Sequence, residues 1–174
     1  MKPVATLADV LAIEAEGQPA DIPAGAYEMI RRSAGLAPDA PALTFFMNAE
    51  QFGQSETWSY RELLRRINQT ANALSRLGVG KDDVVAYVLP NLPETFFTVF
   101  AAEATGIVAA FNPLLEPAAL AGLLAAARAK VLVTVGPFPS VDIWARLRPE
   151  LAVAPTLEHV VLINMSERLL GPAR

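Results

Sequence analysis

The chain has 174 residues, with 14 Lys and Arg against 18 Asp and Glu, a net charge of −4 with its single histidine neutral, and 53% hydrophobic residues. That balance argues against a nucleic-acid partner, which requires a basic stripe, and the apolar content excludes disorder as the main state. Mean hydropathy is +0.34, yet the longest stretch free of Asp, Glu, Lys and Arg runs only from Ala104 to Leu115, short of the roughly 20 residues of a membrane-spanning helix.

Residues 1–25 read as an irregular leader with a short helix near Leu7–Glu14, interrupted by Pro19, Pro23 and Gly25. No apolar export signal follows Met1-Lys2, which makes the cytoplasm the expected compartment. The spacing of Tyr27, Ile30 and Ala34 predicts a helix from Ala26 that Gly35 closes. Strand-type runs at Ala42–Met47 and Glu56–Trp58, joined through Gly53, predict a hairpin. Ser59 and Glu62 have the S-x-x-E spacing that satisfies free N–H groups at a helix start, and the helix carries Leu63, Ile67, Ala71, Leu74 and Leu77 before Gly78 stops it.

Val84–Leu89 is apolar on both faces, as suits a strand between two helix layers. Asn91 and Glu94 repeat the cap-and-acid spacing before a helix that ends at Gly106, and Ile107–Phe111 is the next strand. Glu116-Pro117 opens a third helix, filled by Ala118–Ala127, and Val131–Val135 follows as a strand. Ser140 is placed to cap a short helix carrying Val141, Trp144 and Leu147, and His159–Ile163 is the last strand. This alternation specifies an α/β fold: a mostly parallel sheet with helices on both faces, preceded by a short β-hairpin.

Ligands of such sheets bind at the carboxyl ends of the strands, here Pro90–Pro93, Asn112–Leu115 and Gly136–Pro139. None is a glycine-rich phosphate cradle. Gly80-Lys81 has Ser75 where a phosphate loop needs glycine and Asp82 where it needs Ser or Thr; Gly78-Val79-Gly80 has Asp83 in place of the third glycine of a dinucleotide fingerprint. Asp82-Asp83 starts a strand and reads as a solvated turn, His159 has no nucleophile motif beside it, and Asn91 and Asn112 read as cap and turn residues. Arg31-Arg32 and Arg65-Arg66 read as solvated helix faces, and the spacing of Phe96, Phe97, Phe100 and Phe111 favours core over a substrate channel. No catalytic, cofactor-binding or metal-ligating residue is assigned.

Thr57-Trp58-Ser59-Tyr60-Arg61-Glu62-Leu63, Leu77 through Val85, Leu89-Pro90-Asn91-Leu92-Pro93-Glu94, Phe111-Asn112-Pro113-Leu114-Leu115 and Ala129-Lys130-Val131-Leu132-Val133-Thr134 occur in one order. Together they resemble the amino-terminal region of adenylate-forming acyl-CoA synthetases, most of all bacterial fatty-acyl-CoA ligases, over about residues 26–165. The resemblance implies a parent reaction in which ATP and a carboxylic acid, a fatty acid foremost, give an acyl-adenylate and pyrophosphate, after which coenzyme A displaces AMP, with Mg²⁺ assisting. The family's phosphate loop, magnesium motif, ribose-binding Asp and catalytic Lys map onto no residue here. The chain is therefore expected to be an inactive amino-terminal α/β subdomain (26–165) with a connection beginning at 166–174, whose partners are the downstream subdomains of the parent, with self-association through exposed apolar surface. Aryl-CoA ligases and amino-acid adenylation domains are the neighbouring substrate classes. The alternatives are a free-standing nucleotide- or protein-binding α/β module without catalysis and, behind it, a degenerate adenylation-like interaction domain.

Overall fold

Residues 4–17, 21–139 and 141–165 are described by the structure, a computed structural model. In chain order they form α1 (Leu7–Ala15), α2 (Ala26–Leu36), β1 (Pro41–Phe45), a 3-10 helix (Ala49–Gln54), β2 (Glu56–Ser59), α3 (Tyr60–Arg76), β3 (Val84–Val88), α4 (Pro93–Thr105), β4 (Ile107–Ala110), α5 (Pro117–Ala126), β5 (Ala129–Val135), α6 (Ile143–Leu147), a second 3-10 helix (Arg148–Val153) and β6 (His159–Ile163). The strands β1 and β2 pair antiparallel as a hairpin. The other four form a parallel sheet in the order β4-β3-β5-β6.

The central strands β3 and β5 are largely apolar because both of their faces are covered; Lys130 and Thr134 of β5 are exceptions. Val85, Val131, Val133 and Val135 point into one core with Ile30 of α2, Leu63, Ile67 and Leu74 of α3 and Phe97 and Ala101 of α4. The intervening residues Ala86, Val88 and Leu132 point the other way, to Leu120 and Leu124 of α5 and Leu147 of α6. This alternation is the pleat itself acting as a sorter. The hairpin joins the first core through Trp58, whose ring meets Phe97 edge-on with centroids 5.9 Å apart. The expected phenylalanine group is divided by the sheet, since Phe97 and Phe100 belong to the first core and Phe111 to the second.

At the start of α3 the expected exchange forms in full: the Ser59 hydroxyl accepts the Glu62 N–H at 3.3 Å, and a Glu62 oxygen accepts the Ser59 N–H at 2.9 Å. The Ser59 N–H, and after it the Ser59 hydroxyl, which donates to the same carboxylate at 2.9 Å, hold the Glu62 carboxyl below its ordinary range. At its far end Gly78 takes φ +77°, a left-handed turn open to glycine.

Two helix ends differ from expectation. Gly35 does not close α2, which runs on to Leu36; the apolar spacing ended at Ala34, but nothing in the backbone there requires a turn. The cap of α4 is Leu92, not Asn91. Pro93 occupies the first helical position, and the Thr95 hydroxyl both accepts the Leu92 N–H at 3.3 Å and donates to the Pro90 carbonyl at 2.7 Å, so a threonine supplies what Asn91 and Glu94 were expected to supply. The hairpin connection is not a plain loop but contains the first 3-10 helix. The cap expected at Ser140 and the connection at 166–174 lie outside the described residues.

Candidate functional site

The carboxyl ends of β3, β4 and β5 meet the loops Leu89–Leu92, Phe111–Glu116 and Gly136–Pro139 at one edge of the sheet. Local bonding shapes each. The Asn112 carboxamide oxygen accepts the Leu114 N–H at 3.0 Å, so Asn112 is the turn residue expected. That turn leaves Leu114 88% exposed and places Leu115 beside it. The β3 and β5 ends are joined by Thr134, fully buried, whose hydroxyl donates to the Val88 carbonyl at 3.0 Å.

Between these loops and α6 lies a cleft of about 310 Å³ lined by Pro90, Pro113, Leu115, Pro117, Ile143 and Arg146. Prolines and aliphatic side chains make most of its wall. The Arg146 guanidinium at its side is engaged by Glu116 at 3.2 Å and by Asp142 at 4.0 Å. Such a wall suits an apolar ligand or a packing partner. It offers no paired acid and base at hydrogen-bond distance of the kind that proton transfer uses.

The opposite edge, at the amino ends of the strands, is built from charge. Lys130, largely buried, donates to the Gly78 carbonyl at 2.7 Å and to Asp83 at 3.1 Å, and Asp83 also accepts the Gly80 N–H at 2.8 Å. The Gly80 amide, and after it Lys130, hold the Asp83 carboxyl below its ordinary value. The Asp82-Asp83 pair thus divides: Asp82 is the solvated residue expected, touching Lys81, whereas Asp83 ties the α3–β3 turn to β5. Sequence spacing gave no sign of this, because Lys130 stands 47 residues away. His159 lies half-buried at this same amino edge, remote in the sheet from the cleft.

Among the helix-face arginines, Arg31 and Arg32 pair with Glu28, and Arg32 also with Asp21. The Arg31 guanidinium holds the Glu28 carboxyl below its ordinary range. Among the described residues no three His, Asp or Glu side chains converge to hold a metal. No helix among them is long and apolar enough to cross a membrane.

The sequence profile described as AMP-binding enzyme matches residues 30–171. Among curated proteins, the chain is 29% identical over 124 residues to marinolic acid–CoA ligase of Pseudoalteromonas sp. (strain SANK 73390), covering 71% of this chain and 18% of that protein. It is 40% identical over 106 residues to crotonobetaine/carnitine–CoA ligase of Salmonella arizonae, covering 60% of this chain and 20% of that one. The chain thus spans about a fifth of the length of these relatives. In fold it is similar to a Mycobacterium tuberculosis fatty acyl CoA synthetase, with TM-score 0.65 and 21% identity over 83% of this chain and 28% of that one. It is also similar to the anthranilate CoA ligase AuaEII, solved with anthranoyl-AMP, with TM-score 0.69 and 24% identity over 86% of this chain and 26% of that one.

Proposed function

Because the chain belongs to the AMP-binding enzyme family, we propose that it is the amino-terminal α/β portion of an ATP-dependent, AMP-forming carboxylic-acid–CoA ligase, working in the cytoplasm. The observation that carries this reading is the match over residues 30–171 to that family, with CoA ligases as relatives. In the parent reaction a carboxylate oxygen attacks the α-phosphorus of ATP and pyrophosphate leaves; the coenzyme A sulfur then attacks the acyl carbon and AMP leaves. Adenylation turns a poor leaving group into a good one, and its barrier is lowered by donors aimed at the phosphates. The strand-end loops here present prolines and aliphatic side chains, so we assign residues 26–165 the role of scaffold and packing surface. The remainder of the ligase would supply the phosphate-binding, Mg²⁺-binding and catalytic groups.

The substrate we favour is a fatty acid. The apolar cleft beside Leu114 and Leu115 supports it, as does a structural neighbour titled a fatty acyl CoA synthetase.

The test is ATP–pyrophosphate exchange with a panel of aliphatic and aromatic acids, run on the purified chain and on the product of the full open reading frame that encodes it. Exchange by the full product with long aliphatic acids, and none by the 174-residue chain, is the expected result. Exchange by the chain alone overturns the scaffold role, a full product active only on aromatic acids overturns the fatty-acid reading, and an inactive full product overturns the ligase reading in favour of a binding module.

A further inference from the structure

Helix α1 carries Leu7, Val10 and Leu11 at i, i+3 and i+4, exposed by 73%, 38% and 55%, and Glu14 continues the same stripe one turn later. None of its nine residues is buried. Residues 4–17 contain Asp9, Glu14 and Glu16 and no basic side chain. A short helix whose large apolar side chains are left exposed and unpacked is stable only when those side chains are covered.

A groove of complementary chemistry runs between α2 and α3. It encloses about 520 Å³ and is lined by Ala34, Pro38 and Leu64 together with Arg31, Arg61 and Arg65. On α3 the lining residues Arg61, Arg65, Gln69 and Asn72 recur every three or four positions, one stripe facing one groove. Among the described residues the Arg61 guanidinium pairs with the exposed Asp39 alone, and Arg65 has no ion-pair partner within 4.0 Å. Gly35 also lines the groove, and a Cβ placed there would meet nothing within 4 Å. Packing therefore does not require glycine inside α2, where it costs about 1 kcal/mol relative to alanine; its effect is to leave the groove wider.

We propose that α1 of a second copy of this chain docks in the α2–α3 groove, its leucines on Ala34, Pro38 and Leu64 and its carboxylates on Arg61 and Arg65. The groove is long enough for the helix: nine residues of helix extend about 13 Å, and the stretch of α3 from Arg61 to Asn72 about 18 Å. No residue of the chain's own α1 lines the groove. Two copies exchanging α1 about a twofold axis cover both stripes and fill both grooves in a closed dimer. This inference does not depend on the ligase reading.

The experiment is sedimentation equilibrium of the whole chain over a range of concentrations. A monomer–dimer equilibrium is expected, weakened at least about tenfold by the pair Leu7→Glu and Leu11→Glu, whose side chains are not part of either core, and similarly by Arg65→Glu. Combining Glu14→Arg with Arg65→Glu should restore association. A protein that stays monomeric at every concentration overturns the proposal, as does a dimer indifferent to both sets of substitutions. A monomer in which the α1 substitutions raise amide exchange over residues 61–72 shows the groove taken by the chain's own helix, and overturns it as well.

Discussion

Gly106 and Gly122 are expected to respond in opposite directions to the same added methyl group. Gly106 joins α4 to β4, and a Cβ built on it would lie 2.6 Å from the Asp83 carbonyl oxygen and 2.8 Å from that of Gly80. Neither atom can yield freely. The Asp83 carbonyl accepts the Ile107 N–H at 2.9 Å, the first rung between β3 and β4, and the Gly80 carbonyl accepts the Asp83 N–H at 3.0 Å. Gly106→Ala must therefore strain the backbone, at about 1–3 kcal/mol, and weaken a rung worth about 1 kcal/mol. A loss of about 3 kcal/mol corresponds to a fall of roughly 6–12 °C in Tm for a domain of this size. Gly122 is exposed within α5, and a Cβ there would meet nothing within 4 Å. Gly122→Ala should gain about 1 kcal/mol from helix propensity. Urea and thermal unfolding of both variants beside the wild type measure the difference. A Gly106→Ala protein within about 0.5 kcal/mol of the wild type, or two variants shifting in the same direction, would refute the reasoning.

Three further outcomes follow from the bonding at the sheet edges and the α3 cap. Because the folded-state value of Asp83 is lowered, its contribution is complete above the ordinary 3.8 and is lost as pH falls through the folded-state value. Asp83→Asn should flatten that part of the acid decline in unfolding stability, and an unchanged decline would mean that Asp83 is not the group responsible. Thr134→Val keeps the shape but deletes the donor to the Val88 carbonyl, and should cost about 1 kcal/mol by urea titration; equal or greater stability would show the bond to be unimportant. Ser59→Ala should cost a similar amount, about 1 kcal/mol, by releasing the Glu62 N–H at the start of α3, and a neutral result in thermal unfolding would contradict the capping role.

The apolar cleft and the charged clamp stand at opposite ends of the same strands. That separation has a physical basis: a largely buried lysine such as Lys130 is stabilised by a carbonyl and a carboxylate within reach, and the tight Gly78–Asp83 turn at the amino edge supplies both. The carboxyl edge keeps its prolines and leucines uncommitted, as suits a surface to be covered by other chain or by an apolar ligand.

What the amino-acid sequence determined by itself is whatever depends on neighbours in the chain. The Ser59–Glu62 cap, the stop at Gly78, the Asn112 turn and the apolar run of β3 were all legible, because each is fixed by residues within a few positions. The family resemblance was legible for a related reason, since it rests on the order of such local signals. Only the tertiary structure decided the rest. The start of α2 is capped by Glu103, which accepts the Ala26 N–H at 2.9 Å from 77 residues away, where Gly25 offers no side chain. Lys130 reaches Asp83 across 47 residues and Thr134 reaches Val88 across 46, and the α2–α3 groove exists only once two helices lie side by side. Local patterns set which segments become helix or strand, because backbone bonding in a helix or turn closes within a few residues. The partners of buried polar groups are set by how those segments pack, and spacing along the chain does not encode that.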